Sequence, residues 1–251
     1  MKAIKRAIDG KQCRVNGRVE TFSTHPLRKG DKVEIVLAPK TEPFSCPILF
    51  EDADLVLFNK PPGRTSESFK GFYLVHRLDK ETSGVILLAK NEPMQKMLIA
   101  LFAKRNVEKE YLAICDGVIK KQSWKMENEL GKKTSFQGGG IWGKVSKGEG
   151  KKAITHFQTL NVSAKEKASL VLAKPVTGRT HQIRIHLSQS GHPVLGDWLY
   201  GKTFQCPLAP SRHMLHAWHL NFIHPVTGKR LEVEAPPLKD FLSIQKKLFG
   251  A

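Results

Sequence analysis

The stretch Val75-His76-Arg77-Leu78-Asp79-Lys80-Glu81-Thr82-Ser83-Gly84 sets the carboxylate of Asp79 near a guanidinium, Arg77, in a polar loop. The loop runs directly into the apolar Val85, Ile86, Leu87 and Leu88. A carboxylate at the edge of a strand can serve as a nucleophile if the fold desolvates and aims it. Aspartate is equally a turn residue that bonds its own backbone, and the loop's residues leave both readings open.

His76-Arg77-Leu78-Asp79-Lys80 followed by Thr82-Ser83-Gly84 resembles the active-site motif of the RluA/RluC/RluD-type pseudouridine synthase family. Two later stretches carry the resemblance in the expected order. One is Lys109-Glu110-Tyr111. The other is Thr177-Gly178-Arg179-Thr180-His181-Gln182-Ile183-Arg184-Ile185-His186-Leu187, continuing through Gly191-His192-Pro193 and Gly196-Asp197 to Tyr200-Gly201. Together they cover about Ile48 to Phe249.

The resemblance implies a catalytic set of Asp79, Tyr111 and Arg184. Turning uridine into pseudouridine breaks the glycosidic bond, rotates the uracil and rejoins it through carbon 5, which needs no redox change, group donor or metal. No cofactor is therefore expected. Asp79 is nominated as the nucleophile, and whether it attacks the base or the ribose, or assists a glycal, stays open. A desolvated carboxylate drifts towards protonation unless an opposite charge is near, and the resemblance makes Arg184 that partner. By the same resemblance Tyr111 stacks on the flipped base and assists proton transfer, whereas its residue-level alternative is a half-buried strand tyrosine. Extruding the target costs a few kcal/mol. Arg77 is the candidate to fill the vacated space, and Arg179, His181 and Gln182 join it as expected RNA contacts. His76 is counted with them, although bracing the loop suits it better.

Composition bounds the partners. The chain has 251 residues, 40% hydrophobic and 25% charged, and its 41 Lys plus Arg against 23 Asp plus Glu give a formal net charge of +18. Such an excess points to a polyanion, here RNA, with ribosomal RNA expected over tRNA. Cys13, Cys46, Cys115 and Cys206 form no C-x-x-C pair, and no apolar run approaches a membrane span, so a reducing, cytoplasmic setting and a monomer are expected.

Two motifs mislead. Gly196-Asp197-Trp198-Leu199-Tyr200-Gly201-Lys202-Thr203 fits the P-loop pattern G-x-x-x-x-G-K-[ST]. A phosphate cradle wants small residues and a following helix, whereas this loop holds Trp, Leu and Tyr, and Pro207 and Pro210 come next. His213, His216 and His219 would align as metal ligands only on a helix, and the segment reads as a strand.

The positioning elements follow from periodicity and punctuation. Residues 1–38 read as a small α/β RNA-binding module: a basic helix from Lys2 to about Ile8, a strand-like Arg14 to Val19, and a strand from Lys32 to Leu37. It resembles the αL-motif RNA-binding domain named after a small-subunit ribosomal protein, with Lys5, Arg6 and Arg14 as its expected RNA contacts. That domain's usual first helix would lie before Met1, so an incomplete module is expected. Residues 39–47, punctuated by Pro39, Pro43 and Pro47, read as the linker, and residues 48–251 as the catalytic domain.

Within that domain, Ile48–Phe50 and Leu55–Phe58 form a hairpin, ended by Pro61-Pro62-Gly63. Only 12 residues, Arg64 to Val75, then precede His76, fewer than is usual in the family, so a trimmed support for the active loop is expected. Asn91 caps a helix with Met94, Met97, Leu98, Leu101 and Phe102 at helical spacing. Val107 to Cys115 is a strand. The Gly-, Lys- and Ser-rich residues 117–152 read as irregular hairpins whose Lys121, Lys125, Lys132, Lys133, Lys144 and Lys147 could meet phosphates. Strands Ala153–Leu160 and Ser169–Lys174 lead to a helix capped by Thr180, with His181 and Arg184 on one face. A last helix near Pro237 is expected to bury Leu238, Phe241, Leu242 and Leu248. The fold class expected is α+β, with a mixed, largely antiparallel sheet and a central RNA-binding cleft. The rivals are a tRNA-modifying synthase, a noncatalytic RNA-binding assembly factor, and the NTPase just disfavoured.

Overall fold

The computed structural model describes residues 8, 13–20, 25–35, 46–136 and 139–250. The chain divides into two compact units, Met1–Ser45 and Cys46–Ala251. In the first, β1 (Cys13–Val15) pairs antiparallel with β2 (Arg18–Val19) and β3 (Val33–Ile35). The continuous strand expected from Arg14 to Val19 is instead a hairpin, because Asn16 and Gly17 both take positive φ and turn the chain. Arg14 donates to the Gly17 carbonyl across that turn (3.3 Å). The expected basic helix, with Lys5 and Arg6, lies outside the described residues, Ile8 excepted.

The second unit is built on one eleven-stranded sheet. Its strands are β4 (Ile48–Glu51), β5 (Leu55–Lys60), β6 (Tyr73–Leu74), β7 (Ser83–Ala89), β8 (Val107–Asp116), β9 (Ser123–Phe136), β10 (Gly139–Lys144), β11 (Lys151–Ser163), β12 (Ala168–Pro175), β13 (Leu215–Ile223) and β14 (Arg230–Glu234). The order is β10-β9-β11-β12-β8-β13-β7-β5-β4, with β14 beside β13 and β6 beside β7. Every pairing is antiparallel except β13 with β7, so the mixed, largely antiparallel sheet is as expected. Helices α1 (Glu92–Ala103), α2 (Gln182–Gln189) and α3 (Lys239–Phe249) are the α-helices of this unit among the described residues. No helix among the described residues is long and apolar enough to cross a membrane.

Apolar runs without alternation, Leu55-Val56-Leu57-Phe58 and Val85-Ile86-Leu87-Leu88, become central strands buried on both faces. They share one core with Met94 and Leu98 of α1, capped by Asn91, whose side chain accepts the Met94 N–H (2.8 Å). A second core joins β8, β12 and β13 to Ile183 and Leu187 of α2 and to Phe241 and Leu248 of α3. Leu242, expected inside, is 46% exposed, because it stands about 100° around the helix from Phe241. Residues 123–136 are no irregular surface hairpin either. β9 pairs with β11 from Ser123↔Gln158 to Leu130↔Lys151, and this ladder imposes strand geometry on a composition that by itself reads as loop.

The parallel contact matters for function. Across the sheet, Gly84 of β7 stands opposite Ala217 of β13, and Ala217 opposite Tyr111 of β8. Gly84 has φ 111°, and a Cβ there would lie 2.1 Å from the Ala217 carbonyl oxygen. Only glycine lets the strand leaving the Asp79 loop press against the sheet's centre.

Candidate active site

The loop from His76 to Thr82 has no regular secondary structure, yet most of its residues, and Ser83 that follows, are tied. His76 accepts the Leu87 N–H at Nε2 (2.9 Å) and stacks on Phe102. Leu78 plugs the first core, and its N–H and C=O both bond the Ser66 hydroxyl (3.0 and 3.1 Å). The wholly buried Lys60 ammonium donates to the carbonyls of Lys80, Arg64 and Pro61. Arg212, buried and paired with Asp240 of α3, donates to the Glu81 carbonyl (3.1 Å) and the Ser83 hydroxyl (3.3 Å). His213 holds the Thr82 hydroxyl (2.8 Å), and His216 the Ser83 hydroxyl (2.9 Å). The short approach from Gly63 therefore does not leave the loop unsupported, since Ser66, within that approach, is one of its clamps.

Asp79 lies against α2. Its Oδ2 accepts Arg184 Nη1 (2.9 Å), while Arg184 Nε and Nη2 form a fork on Asp197 (2.7 and 2.8 Å). Burial opposes the charge on Arg184, but the Asp197 and Asp79 carboxylates more than offset it and hold the guanidinium above its usual range. The Tyr200 ring lies 5.1 Å from the Arg184 guanidinium carbon. Tyr200 also accepts the Trp142 N–H (3.3 Å) and bonds His181 Nδ1 (2.7 Å), leaving His181 Nε2 3.8 Å from Asp79 Oδ1. Among the described residues Asp79 Oδ1 thus has no hydrogen bond, and an imidazole edge lies near it. Tyr111 sits at the seam of the two cores, flanked in register by the small Ala217 and Ala173, and its hydroxyl has no hydrogen-bond partner among the described residues. Burial, with the Asp79 charge adding to it, pushes that phenol well above its ordinary pKa, so it stays protonated.

The expected site residues separate into two groups. Asp79, Arg184, His181 and Tyr111 converge, and Arg77 projects beside them, exposed and paired with Glu67 (3.1 Å). Arg179 lies on the approach to α2, its Nε on the Lys152 carbonyl (3.0 Å). Two expected RNA contacts are structural instead. Gln182, 4% exposed, spends its amide on Thr177, Arg179, Ile154 and Thr155. His76 is committed to Leu87 and Phe102. Thr180 is no cap: His181, at φ 54°, is the N-cap, and Gln182 ties the approach in its place. Of the six lysines singled out between 117 and 152, Lys125 is paired with Glu127 (2.5 Å). Asp197, Tyr200, Ser66, Lys60, Arg212 and the partly buried Lys109, which burial brings down to about 8, are further site residues. For Asp197 and Tyr200 the signal was present, in Gly196-Asp197 and Tyr200-Gly201.

Neither decoy survives. No helix follows Lys202, and the three imidazoles have separate partners, His219 bonding Glu110 (3.0 Å). Asp52, Asp54 and His224 do cluster as a metal site would. However, His224 Nδ1 accepts the N–H groups of Val226 and Thr227, so Nε2, 3.1 Å from Asp52 Oδ2, carries the ring proton and has no lone pair for a metal.

The buried imidazoles give a pH prediction. Burial brings His76 down to about 3 and His186 and His216 to about 4, and holds His213 well below its ordinary value. In the unfolded chain these rings protonate near pH 6.5. Between about pH 6.5 and pH 4 the unfolded state therefore binds protons that the native state does not, and stability falls as the pH drops, by up to ~1.4 kcal/mol per pH unit for each ring. The urea midpoint is expected to be clearly lower at about pH 5 than at about pH 7.5. An equal midpoint would contradict the buried neutral state.

The RNA pseudouridylate synthase family model matches residues 60–189, a span that includes Asp79, Tyr111 and Arg184. The chain is 34% identical over 233 residues to the ribosomal large subunit pseudouridine synthase D of Zymomonas mobilis, covering 80% of this chain and 72% of that one. It is 33% identical to an uncharacterized RNA pseudouridine synthase of Aquifex aeolicus, covering 96% and 87%. Among solved structures, human RNA pseudouridylate synthase domain containing 1 matches with a TM-score of 0.64 at 29% identity, covering 80% of this chain and 89% of that one.

Proposed function

Because the chain belongs to the RNA pseudouridylate synthase family, and so is an RNA pseudouridine synthase, an isomerase, we propose that it modifies large-subunit ribosomal RNA with Asp79 as its nucleophile. The reaction breaks the N1–C1′ bond of uridine and makes a C5–C1′ bond, with a proton leaving C5 and one arriving at N1. The observation that carries the reading is the setting of Asp79: one oxygen held by Arg184, the other without a hydrogen bond among the described residues. A carboxylate anchored in this way presents one oxygen to an electrophilic carbon of the base or the sugar. Tyr111, protonated and with a hydroxyl that has no hydrogen-bond partner among the described residues, offers a ring face to the extruded uracil and that hydroxyl for proton transfer. Arg77, exposed next to Asp79, is placed to enter the gap that the uracil leaves.

Ribosomal RNA as the substrate is supported by the names of relatives, the large-subunit synthases D of Zymomonas mobilis and C of Yersinia pestis, and by the basic excess that suits a long polyanion. The test is pseudouridine mapping by carbodiimide-dependent reverse-transcription stops across total RNA, with and without this protein. One or a few stops are expected to vanish from large-subunit ribosomal RNA. Loss confined to tRNA would overturn the substrate, and no loss in any RNA would overturn the activity.

A further inference from the structure

Building on the RNA-modifying reading above, we propose that Trp198 is a stacking platform for a nucleobase beside the target uridine. Trp198 is 59% exposed and Leu199 39%, a large apolar pair left in water at the edge of the catalytic centre. Its place is set by the turn that carries it. Asp197, one residue before, is the buried partner of Arg184, and Tyr200, two residues after, lies beside that guanidinium and bonds His181. The indole is thus within a residue of the ion pairs that hold Asp79.

The turn is rigid. The N–H groups of Tyr200 and Gly201 bond the Asp197 carbonyl (3.3 and 2.8 Å), the Asp197 N–H bonds Val194, and Ser188 of α2 holds the Tyr200 carbonyl (2.8 Å). Phe204 supports the indole edge-on, with centroids 4.9 Å apart. An aromatic ring fixed in this way meets a partner with little ordering cost.

Charge selects the partner. The β9–β10 hairpin reaches the same turn through the Trp142 N–H on Tyr200, and it exposes Lys132, Lys133 and Lys144. An aromatic face on a turn that a lysine-bearing hairpin contacts suits single-stranded nucleic acid, whose bases stack while its phosphates meet the cations. A protein partner would need apolar area well beyond this pair.

The experiment measures binding of a ~15-nucleotide oligouridine, and the single-turnover rate on an unmodified large-subunit ribosomal RNA transcript at saturating enzyme. Trp198→Ala is expected to weaken binding about 5- to 150-fold, the equivalent of ~1–3 kcal/mol for one stacked base, with the saturated rate and the melting temperature unchanged. Trp198→Phe is expected to bind within about threefold of the parent, since a phenyl ring still stacks. The oligouridine is expected to protect tryptophan fluorescence from acrylamide in the parent and not in Trp198→Phe, because Trp198 is the most exposed of the four tryptophans. Unchanged binding by Trp198→Ala overturns the proposal. A loss of saturated rate without a loss of affinity also overturns it, and would mean that the residue acts through Asp197. A parent protein that binds no RNA overturns the RNA reading itself, a result distinct from either.

Discussion

Asp79→Asn is expected to lower pseudouridine formation by a factor on the order of 10⁴ or more while RNA binding stays close to that of the parent. Asparagine keeps an oxygen to accept Arg184 Nη1 and matches the shape of aspartate, so the loop loses none of its clamps. Its amide oxygen is a far poorer nucleophile than a carboxylate. Stability is expected to move by no more than about 1 kcal/mol, because Arg184 keeps its two bonds to Asp197 and the Asp79 side chain is partly exposed. The measurement is single-turnover conversion of a transcript bearing the mapped uridine, with thermal melting of the same preparation. Conversion within about tenfold of the parent would remove Asp79 from the nucleophile's role, whatever happens to binding.

Arg184→Met is expected to damage both activity and stability. Arg184 is 6% exposed, and its guanidinium is shared between Asp79 and the 2% exposed Asp197. Removing it strands a buried carboxylate, a loss that typically costs ~3–5 kcal/mol. It also frees Asp79 to rotate, so the fraction still folded should convert RNA at least about 100-fold more slowly. Arg184→Lys is expected to recover part of the stability and little of the rate, because one ammonium cannot reproduce a fork on Asp197 together with a bond to Asp79. Denaturant unfolding combined with single-turnover rates below the melting transition separates the two effects. A Lys variant as fast as the parent would show that charge alone is sufficient and that the fork does not matter.

Much of this arrangement was legible in the residues. The apolar runs at 55–58 and 85–88 announced buried strands, and the helical spacing of Met94, Leu98 and Leu101 announced α1, because burial imposes the period. The P-loop pattern at 196–203 could be dismissed on side-chain size and on the prolines that follow. Composition misled at 117–152: glycine and lysine read as loop until the β11 ladder supplies the partner that makes a strand. Leu242 and Thr180 depart from expectation because a helix's phase and its cap depend on where the helix begins: α3 is capped by Leu238, and a left-handed His181 with the side chain of Gln182 sets the start of α2.

For the site, the sequence by itself determined which groups are available: Asp79, Tyr111 and Arg184 stand in motifs specific enough to be named in order along the chain. What holds them together was decided only in three dimensions. The Gly84–Ala217–Tyr111 row is a matter of strand register, and Lys60, Ser66 and Arg212 clamp the Asp79 loop from 12 to 131 positions away. Asp197 takes two of the three Arg184 bonds, so that the third is fixed on Asp79. The physical reason is that residue chemistry is a local property, whereas anchoring a carboxylate depends on which distant donors and charges the folded chain brings within hydrogen-bond reach of it, and spacing along the sequence does not encode those distances.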